Sequence, residues 1–191
     1  MNNTPLFRRA LPQEAAMLTQ IALTAKQSWG YPDEWMAEWR PDLTITTGYI
    51  ASSPVWVVEV EHRCRLPFRP AQGPELVEGL PARCLSEVLR AAPETPAKEV
   101  AGFLGLARMD GQWHLEHLWV LPAFQGCGLG RALFDEAVRQ ARAVGATELH
   151  IKSDPNAEPF YLKMGAVRTG LEVYDLLGNI RREVPQLSYR L

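Results

Sequence analysis

The sequence predicts one domain of the α/β class, because short β-rich runs and amphipathic helical segments follow each other along the whole chain. The chain has 191 residues, a length that suits a single core. Its hydrophobic fraction of 47% and its charged fraction of 22% are those of an ordinary globular protein. We therefore expect one domain spanning residues 1–191.

The N-terminal part of the chain alternates between both kinds of element. Residues 6–10 are a plausible first strand, and Pro12 starts a helix. Residues 29–39 are expected to form a second short helix, and the β-branched run at 55–60 predicts a strand. The apolar positions that predict the first helix are Ala15, Leu18, Ile21 and Ala22.

The C-terminal part continues with two runs, 100–109 and 112–121, that flank the hairpin turn signal Asp110-Gly111. A helix is expected over 129–144, ended by Gly145 and followed by a strand at 148–152. Further strands are expected at 166–169 and 186–191. The apolar stripe of the helix consists of Leu129, Leu133, Phe134, Ala137, Val138 and Ala141.

The most informative motif is the loop that joins the strand ending near Val120 to this helix. It reads Gln125-Gly126-Cys127-Gly128-Leu129-Gly130-Arg131. Glycines at alternate positions leave backbone N–H groups uncovered at the positive end of a helix dipole, which suits a phosphate or pyrophosphate. Neither the dinucleotide fingerprint nor the P-loop spacing fits, because the sixth position is not glycine and no Gly-Lys-Ser/Thr follows.

Together with Val120 and Pro122, this loop resembles the acyl-CoA pyrophosphate loop of the GCN5-related N-acetyltransferase (GNAT) superfamily. A second segment, residues 153–166, resembles the family's later motif, in which a tyrosine follows an asparagine on a short helix. That helix is expected to start near Ala157 and to close at Gly165. The resemblance implies a twisted mixed sheet of about six to seven strands, flanked by about four helices, with splayed central strands. It also implies acetyl-CoA as co-substrate.

The resemblance carries over a set of candidate cofactor-binding residues. In the family, strand amides at the positions of Leu118 and Val120 meet the thioester carbonyl and the pantetheine, and the loop holds the pyrophosphate. Asn156 resembles the pantetheine-contacting asparagine, with a plain helix cap as the alternative. Tyr161 matches the tyrosine that can protonate the leaving thiolate, with simple packing beside Phe160 as the alternative. The loop residues carried over are Gln125, Gly126, Cys127, Gly128, Leu129, Gly130 and Arg131.

A general base is needed because a primary amine is almost wholly protonated at neutral pH. Glu116, on the strand that leads into the loop, is the first candidate, and Glu59, His150 or a chain of waters are alternatives. Strand alternation puts Glu116 on the same face as Leu118 and Val120, unless a β-bulge intervenes. No metal is expected, because His114 and His117 fall on opposite strand faces. An aromatic cluster suggests an acceptor pocket, and its candidate substrate-binding residues are Trp29, Tyr31 and Trp35.

A Pro/Gly-rich insertion at about 63–98 departs from the family pattern, either as a tolerated surface loop or as a lid over the acceptor site. The predicted function is N-acetyltransfer from acetyl-CoA to a primary amine of a small molecule or peptide by direct attack. A non-catalytic acyl-CoA sensor and a folded but inactive copy are the alternatives. The net charge of −2 gives no reason to expect nucleic acid or a membrane surface. The cysteine pattern favours the cytoplasm, and a homodimer through an edge strand or the C-terminus is left open.

Overall fold

The computed structural model describes residues 5–61 and 98–191. The expected insertion lies almost wholly outside these residues. The described elements are β1 (Leu6–Arg9), a 3-10 turn (Pro12–Glu14), α1 (Ala15–Gln27), α2 (Asp33–Leu43), α3 (Thr47–Ser52), β2 (Val55–Glu61), β3 (Lys98–Met109), β4 (Gln112–Val120), a second 3-10 turn (Pro122–Phe124), α4 (Leu129–Ala143), β5 (Glu148–Lys152), α5 (Glu158–Lys163), β6 (Val167–Leu176) and β7 (Ile180–Arg190).

The strands form one mixed sheet in the order β1-β2-β3-β4-β5-β7-β6. All neighbouring strands are antiparallel except β4 and β5, which are parallel. The predicted α/β fold with six to seven strands is confirmed. The described part holds five α-helices, one more than expected, because α3 has too few residues to show a helical period in the sequence.

Two cores lie on opposite faces of the sheet. On one face, α4 and α5 cover side chains such as Leu104 and Leu106. On the other face, α1, α2 and α3 cover Val57 and Phe103. Neighbouring residues of β3 thus point to opposite cores, as the alternation of side chains in a strand requires. Every residue of the predicted α4 stripe is buried.

Three predicted boundaries were wrong. The second helix begins at Asp33 rather than at residue 29, because Gly30 adopts a positive φ of 78° and Pro32 precedes the first turn. The strands expected at 166–169 and 186–191 are parts of one long hairpin, β6–β7. Its tight turn is formed by Leu177 and Gly178, which have φ of 53° and 75°.

Candidate functional site

The central feature of the site is a gap in the sheet between β4 and β5. The two strands pair only over Trp113–Leu115 of β4, opposite Leu149–Ile151 of β5. Beyond this point β4 runs on to Val120, while β5 ends at Lys152. The last part of β4 therefore keeps its partner β3 on one side and faces an opening on the other, which is the predicted splay.

The backbone of β4 directs specific amides into this gap. Leu121 donates its N–H to Ala101 O across the β3 side, at 2.9 Å. Backbone groups of a strand alternate in direction, so Trp119 also points its N–H and C=O toward β3. Leu118 and Val120 must then point theirs toward the gap. In agreement, the carbonyl of Val120 accepts a hydrogen bond from Gln125 Nε2 at 3.2 Å rather than from β3.

The glycine loop follows directly and leads into α4. Gly126 and Gly128 have φ of 79° and 91°, a region that non-glycine residues rarely adopt. Within the described chain, no hydrogen bond is made by the backbone N–H groups from Gly126 to Arg131. Unpaired N–H groups at the start of a helix form a ready site for an anion.

The side chains of the loop have different roles. Leu129 is buried in the core and fixes the first turn of α4. The exposed Cys127 donates its S–H to Phe124 O at 2.8 Å, so its side chain bends back along the loop. At Gly130 an added Cβ would lie 3.4 Å from Phe160 Cε2, so the ring of Phe160 packs against the loop at van der Waals distance.

The short helix α5 supplies Tyr161, and the turn before it supplies Asn156. Helix α5 begins at Glu158, as predicted, and Gly165 closes it with φ of 98°. The ring of Tyr161 is buried, 5.1 Å from the ring of Phe160 and 6.1 Å from that of Phe134. Burial raises the pKa of the Tyr161 phenol well above its ordinary value, so the group stays protonated at neutral pH.

These elements enclose a cavity of about 460 Å³ on one side of the gap, which we call the loop cavity. It brings together most of the predicted cofactor-binding residues and also Trp29, which was expected in the acceptor pocket. Cys127 and Leu129 do not line it. The predicted residues that do are Trp29, Leu118, Val120, Gln125, Gly126, Gly128, Gly130, Arg131, Asn156 and Tyr161.

A second cavity of about 540 Å³, the charged cavity, contains Glu116. The ladder between β3 and β4 shifts here: Gly105 pairs with His117 and Leu106 with Leu115, which leaves Glu116 as the extra residue of a β-bulge. The bulge breaks the alternation that would otherwise place Glu116 with Leu118 and Val120. Glu116 therefore lines a different cavity from those two residues, and Trp119 lines both.

His117 lines the charged cavity beside Glu116 but is poorly suited to be a base. It is 8% exposed, and burial lowers the pKa of its imidazole. Its Nδ1 accepts a hydrogen bond from Trp119 Nε1 at 3.3 Å. In the neutral ring the proton must then be on Nε2. Nε2 can therefore donate a hydrogen bond but cannot accept a proton from a substrate.

The other two candidate bases lie elsewhere. Glu59 is bound by Arg8, with Oε1 2.6 Å from Arg8 Nε. His150 lies in a third cavity with Trp113 and Gly145, and its ring is 5.3 Å from that of His114. Neither residue lines the loop cavity or the charged cavity.

The aromatic cluster lies beside the charged cavity. Tyr31 stacks on Trp35 at 5.8 Å and meets Trp39 edge-on at 5.0 Å. Trp39 lines the charged cavity, whereas Tyr31 and Trp35 lie behind Trp39 and do not line the cavity. The Tyr31 hydroxyl donates to Asp154 Oδ1 at 2.8 Å and accepts from Asn156 Nδ2 at 2.7 Å. Its hydroxyl is therefore already occupied.

The sequence reasoning missed several cavity residues, of which four matter most for the chemistry. Trp119 lies between two predicted residues and lines both cavities. Lys26 and Asp154 form an ion pair of 3.0 Å between residues far apart in the chain. Arg182 lies on the half of the β6–β7 hairpin that was not predicted. Among the described residues, no cluster of potential metal ligands is present and no helix is long and apolar enough to span a membrane.

Comparison with known proteins agrees with this architecture. Residues 86–176 match the family model of the acetyltransferase (GNAT) domain. A GCN5-related N-acetyltransferase structure from Rhodopseudomonas palustris has a TM-score of 0.65 at 19% identity, over 100% of this chain and 99% of its own. No curated protein matches the chain at the sequence level.

Two further solved structures contain a ligand. The PaiA N-acetyltransferase from Thermoplasma acidophilum, in complex with coenzyme A, has a TM-score of 0.60 at 13% identity, with coverage of 98% and 99%. A candidate acetyltransferase from Salmonella typhimurium, with its cofactor acetyl-CoA, has a TM-score of 0.55 at 17% identity, with coverage of 98% and 94%. The predicted resemblance to the GNAT superfamily is thereby confirmed.

Proposed function

Since residues 86–176 match the family model of the acetyltransferase (GNAT) domain, we propose that the chain is an N-acetyltransferase, which transfers an acetyl group from acetyl-CoA to a primary amine of a small molecule or peptide. One observation carries the proposal. The loop has N–H groups that are unpaired within the described chain, and four of the residues that carry them line the same cavity as Leu118, Val120 and Tyr161; these four are Gly126, Gly128, Gly130 and Arg131.

Acetyl-CoA supplies an activated acetyl group as a thioester. The chain's contribution begins with binding: the loop amides and Arg131 hold the pyrophosphate at the positive end of α4. Asn156 lies near the expected path of the pantetheine. The amides of Leu118 and Val120 then supply donors for the pantetheine and the thioester carbonyl, where negative charge develops as the amine attacks.

Proton movements determine what the side chains must do. Acetylation of an ammonium ion yields an amide, a free thiol and one released proton. Glu116 accepts a proton from the incoming ammonium, directly or through water, and so frees the lone pair that attacks. Tyr161 keeps its own proton because burial raises the pKa of its phenol, and it donates a hydrogen bond to the departing sulfur. As the bond to sulfur breaks, Tyr161 passes this proton to the thiolate, and the second proton that the nitrogen loses as the amide forms returns to Tyr161 through water. The proton taken by Glu116 is then the one that is released.

Trp119 lines both cavities, so they lie on either side of one side chain, which supports direct attack in a ternary complex. The thioester would enter from the loop cavity and the amine from the charged cavity. No second nucleophile is then needed, since both substrates reach the gap at once. A cytoplasmic location is part of the proposal and is based on the cysteine pattern of the sequence.

The test is a coenzyme A release assay with the purified protein, acetyl-CoA and a panel of amino acids, polyamines and peptides. We expect amine-dependent release that fails when the amine is omitted. Mass spectrometry of the product should show one added acetyl group on nitrogen. Saturable binding of acetyl-CoA without transfer to any amine would contradict the proposed activity and favour a sensor.

A further inference from the structure

Among the described residues that line the charged cavity, one basic residue forms no ion pair with a carboxylate. Its other basic residues are paired: Lys26 Nζ lies 3.0 Å from Asp154, and Lys152 Nζ lies 2.7 Å from Glu172. Arg182 lines the same cavity, and no carboxylate of the described residues forms an ion pair with it. An arginine is always charged, and the two remaining carboxylates of the cavity, Asp42 and Glu116, form no ion pair with it, so its guanidinium can bind an anionic group of a ligand.

The guanidinium of Arg182 is held in place by aromatic rings. Its central carbon lies 5.2 Å from the ring centroid of Tyr31, 5.1 Å from Trp35 and 5.3 Å from Trp39. Nη2 donates to the Tyr31 hydroxyl at 3.2 Å, while Nε is buried without a hydrogen-bond partner. Buried donors are normally satisfied. Because Nε has almost no accessible surface, a ligand in the cavity would reach Arg182 through its terminal nitrogens. A fixed guanidinium at a cavity wall is suited to an oxyanion, because its planar shape matches a carboxylate.

The position of Arg182 relates this anion site to the gap. On β7, Gln186 pairs with Lys152, the last residue of β5. Arg182 lies four residues further along the strand, about 13 Å past the end of β5. Glu116 enters the same cavity from β4, on the other side of the opening. A ligand in this cavity therefore meets a carboxylate near the gap and a guanidinium away from it.

We propose that the charged cavity binds an acceptor that has both a primary amine and a carboxylate, with Arg182 holding the carboxylate and Glu116 receiving the ammonium. This inference rests on the proposed function and narrows its substrate class to amino acids and related amino-carboxylates. Tyr31, Trp35 and Trp39 then act as positioning residues, since they hold the guanidinium in one orientation and leave its remaining donors to the ligand.

The experiment uses matched acceptors, each amino acid against its own carboxamide, which keep the amine and remove the negative charge. Coenzyme A release gives kcat/KM for both members of each pair. The same pairs are titrated by calorimetry into protein saturated with coenzyme A, which reports binding without turnover. The variants are Arg182→Met, Arg182→Lys and, as a control, Arg181→Met, which changes the exposed neighbour on the same strand.

For at least one pair, we expect wild-type protein to prefer the carboxylate by about tenfold or more, as a charge-assisted hydrogen bond provides. In Arg182→Met the ratio should fall to about one. Arg182→Lys should keep part of the preference for the carboxylate, and Arg181→Met should keep the full preference. Equal use of both members by wild-type protein, or an unchanged ratio in Arg182→Met, would overturn the inference. A general loss of activity at constant ratio would assign Arg182 a structural role only.

The two proposals can fail separately. If carboxylates bind selectively but no amine is acetylated, the acceptor inference stands and the enzymatic proposal is wrong. If carboxamides and simple amines are acetylated as well as carboxylates, the enzymatic proposal stands and the acceptor inference is wrong. If neither member of any pair binds or reacts, both are wrong.

Discussion

A negative charge at position 128 should weaken acetyl-CoA binding, while a neutral side chain of the same shape should affect only folding stability. Gly128 has φ of 91°, and a Cβ added there would meet no atom within 4 Å. Gly128→Asn therefore causes no clash, and its cost is backbone strain of about 1–2 kcal/mol in folding stability. Gly128→Asp has nearly the same shape and strain but adds a charge beside the expected pyrophosphate. Two like charges 4 Å apart repel by about 1 kcal/mol in water and about 4 kcal/mol near a protein surface.

Acetyl-CoA should consequently bind Gly128→Asp at least about fivefold more weakly than Gly128→Asn. Calorimetric titration measures both dissociation constants, and thermal unfolding measures both stabilities. Gly178→Asp is the control, because Gly178 also has a positive φ of 75° and open surroundings but lines neither the loop cavity nor the charged cavity. It should keep normal affinity. Equal affinities of the Asn and Asp variants at position 128 would refute the assignment of the loop.

Three further changes test other parts of the account. Tyr161→Phe removes only the hydroxyl, so kcat should fall about 100-fold while acetyl-CoA affinity, measured by calorimetry, stays normal; an unchanged kcat would leave Tyr161 a packing residue. The pKa of His117 is lowered by burial, so the unfolded chain binds a proton more readily, and stability should fall as pH drops below about 6.5. In His117→Gln the melting temperature should depend less on pH over this range; identical profiles would contradict the assignment. Gly102→Ala would push a methyl group against Trp119 O and Val120 Cα and should destabilise by about 1–3 kcal/mol in denaturant unfolding, whereas Gly48→Ala, with only Thr46 Oγ1 at 3.8 Å, should not; equal stability of the two variants would refute it.

Local patterns made the loop and the helix after it predictable. The apolar stripe from Leu129 to Ala141 has a clear helical period. The glycines of the loop that precedes it are a signal that can be read directly from the sequence. The same holds for the Asp110-Gly111 turn, where both residues take positive φ. These features depend on residues that are neighbours in the chain.

The charged cavity was not predictable, because it depends on contacts between distant segments. The bulge at Glu116 arises from the register with β3, which a single strand does not reveal. Arg182 reaches its aromatic partners from a hairpin whose polar and exposed residues, such as Thr169 and Asp175, weaken the alternation of a strand. Lys26 and Asp154 pair from opposite ends of the chain. Only the folded sheet brings them together.

Calorimetric titration of the purified protein with acetyl-CoA, NAD and ATP tests the central claim most directly. The unpaired amides of the glycine loop and the gap beside β4 form one cavity that suits a pyrophosphate joined to an extended acyl arm. We predict saturable binding of acetyl-CoA with one site per chain, and no comparable binding of NAD or ATP. Absence of acetyl-CoA binding, or equally tight binding of either nucleotide, would contradict the account.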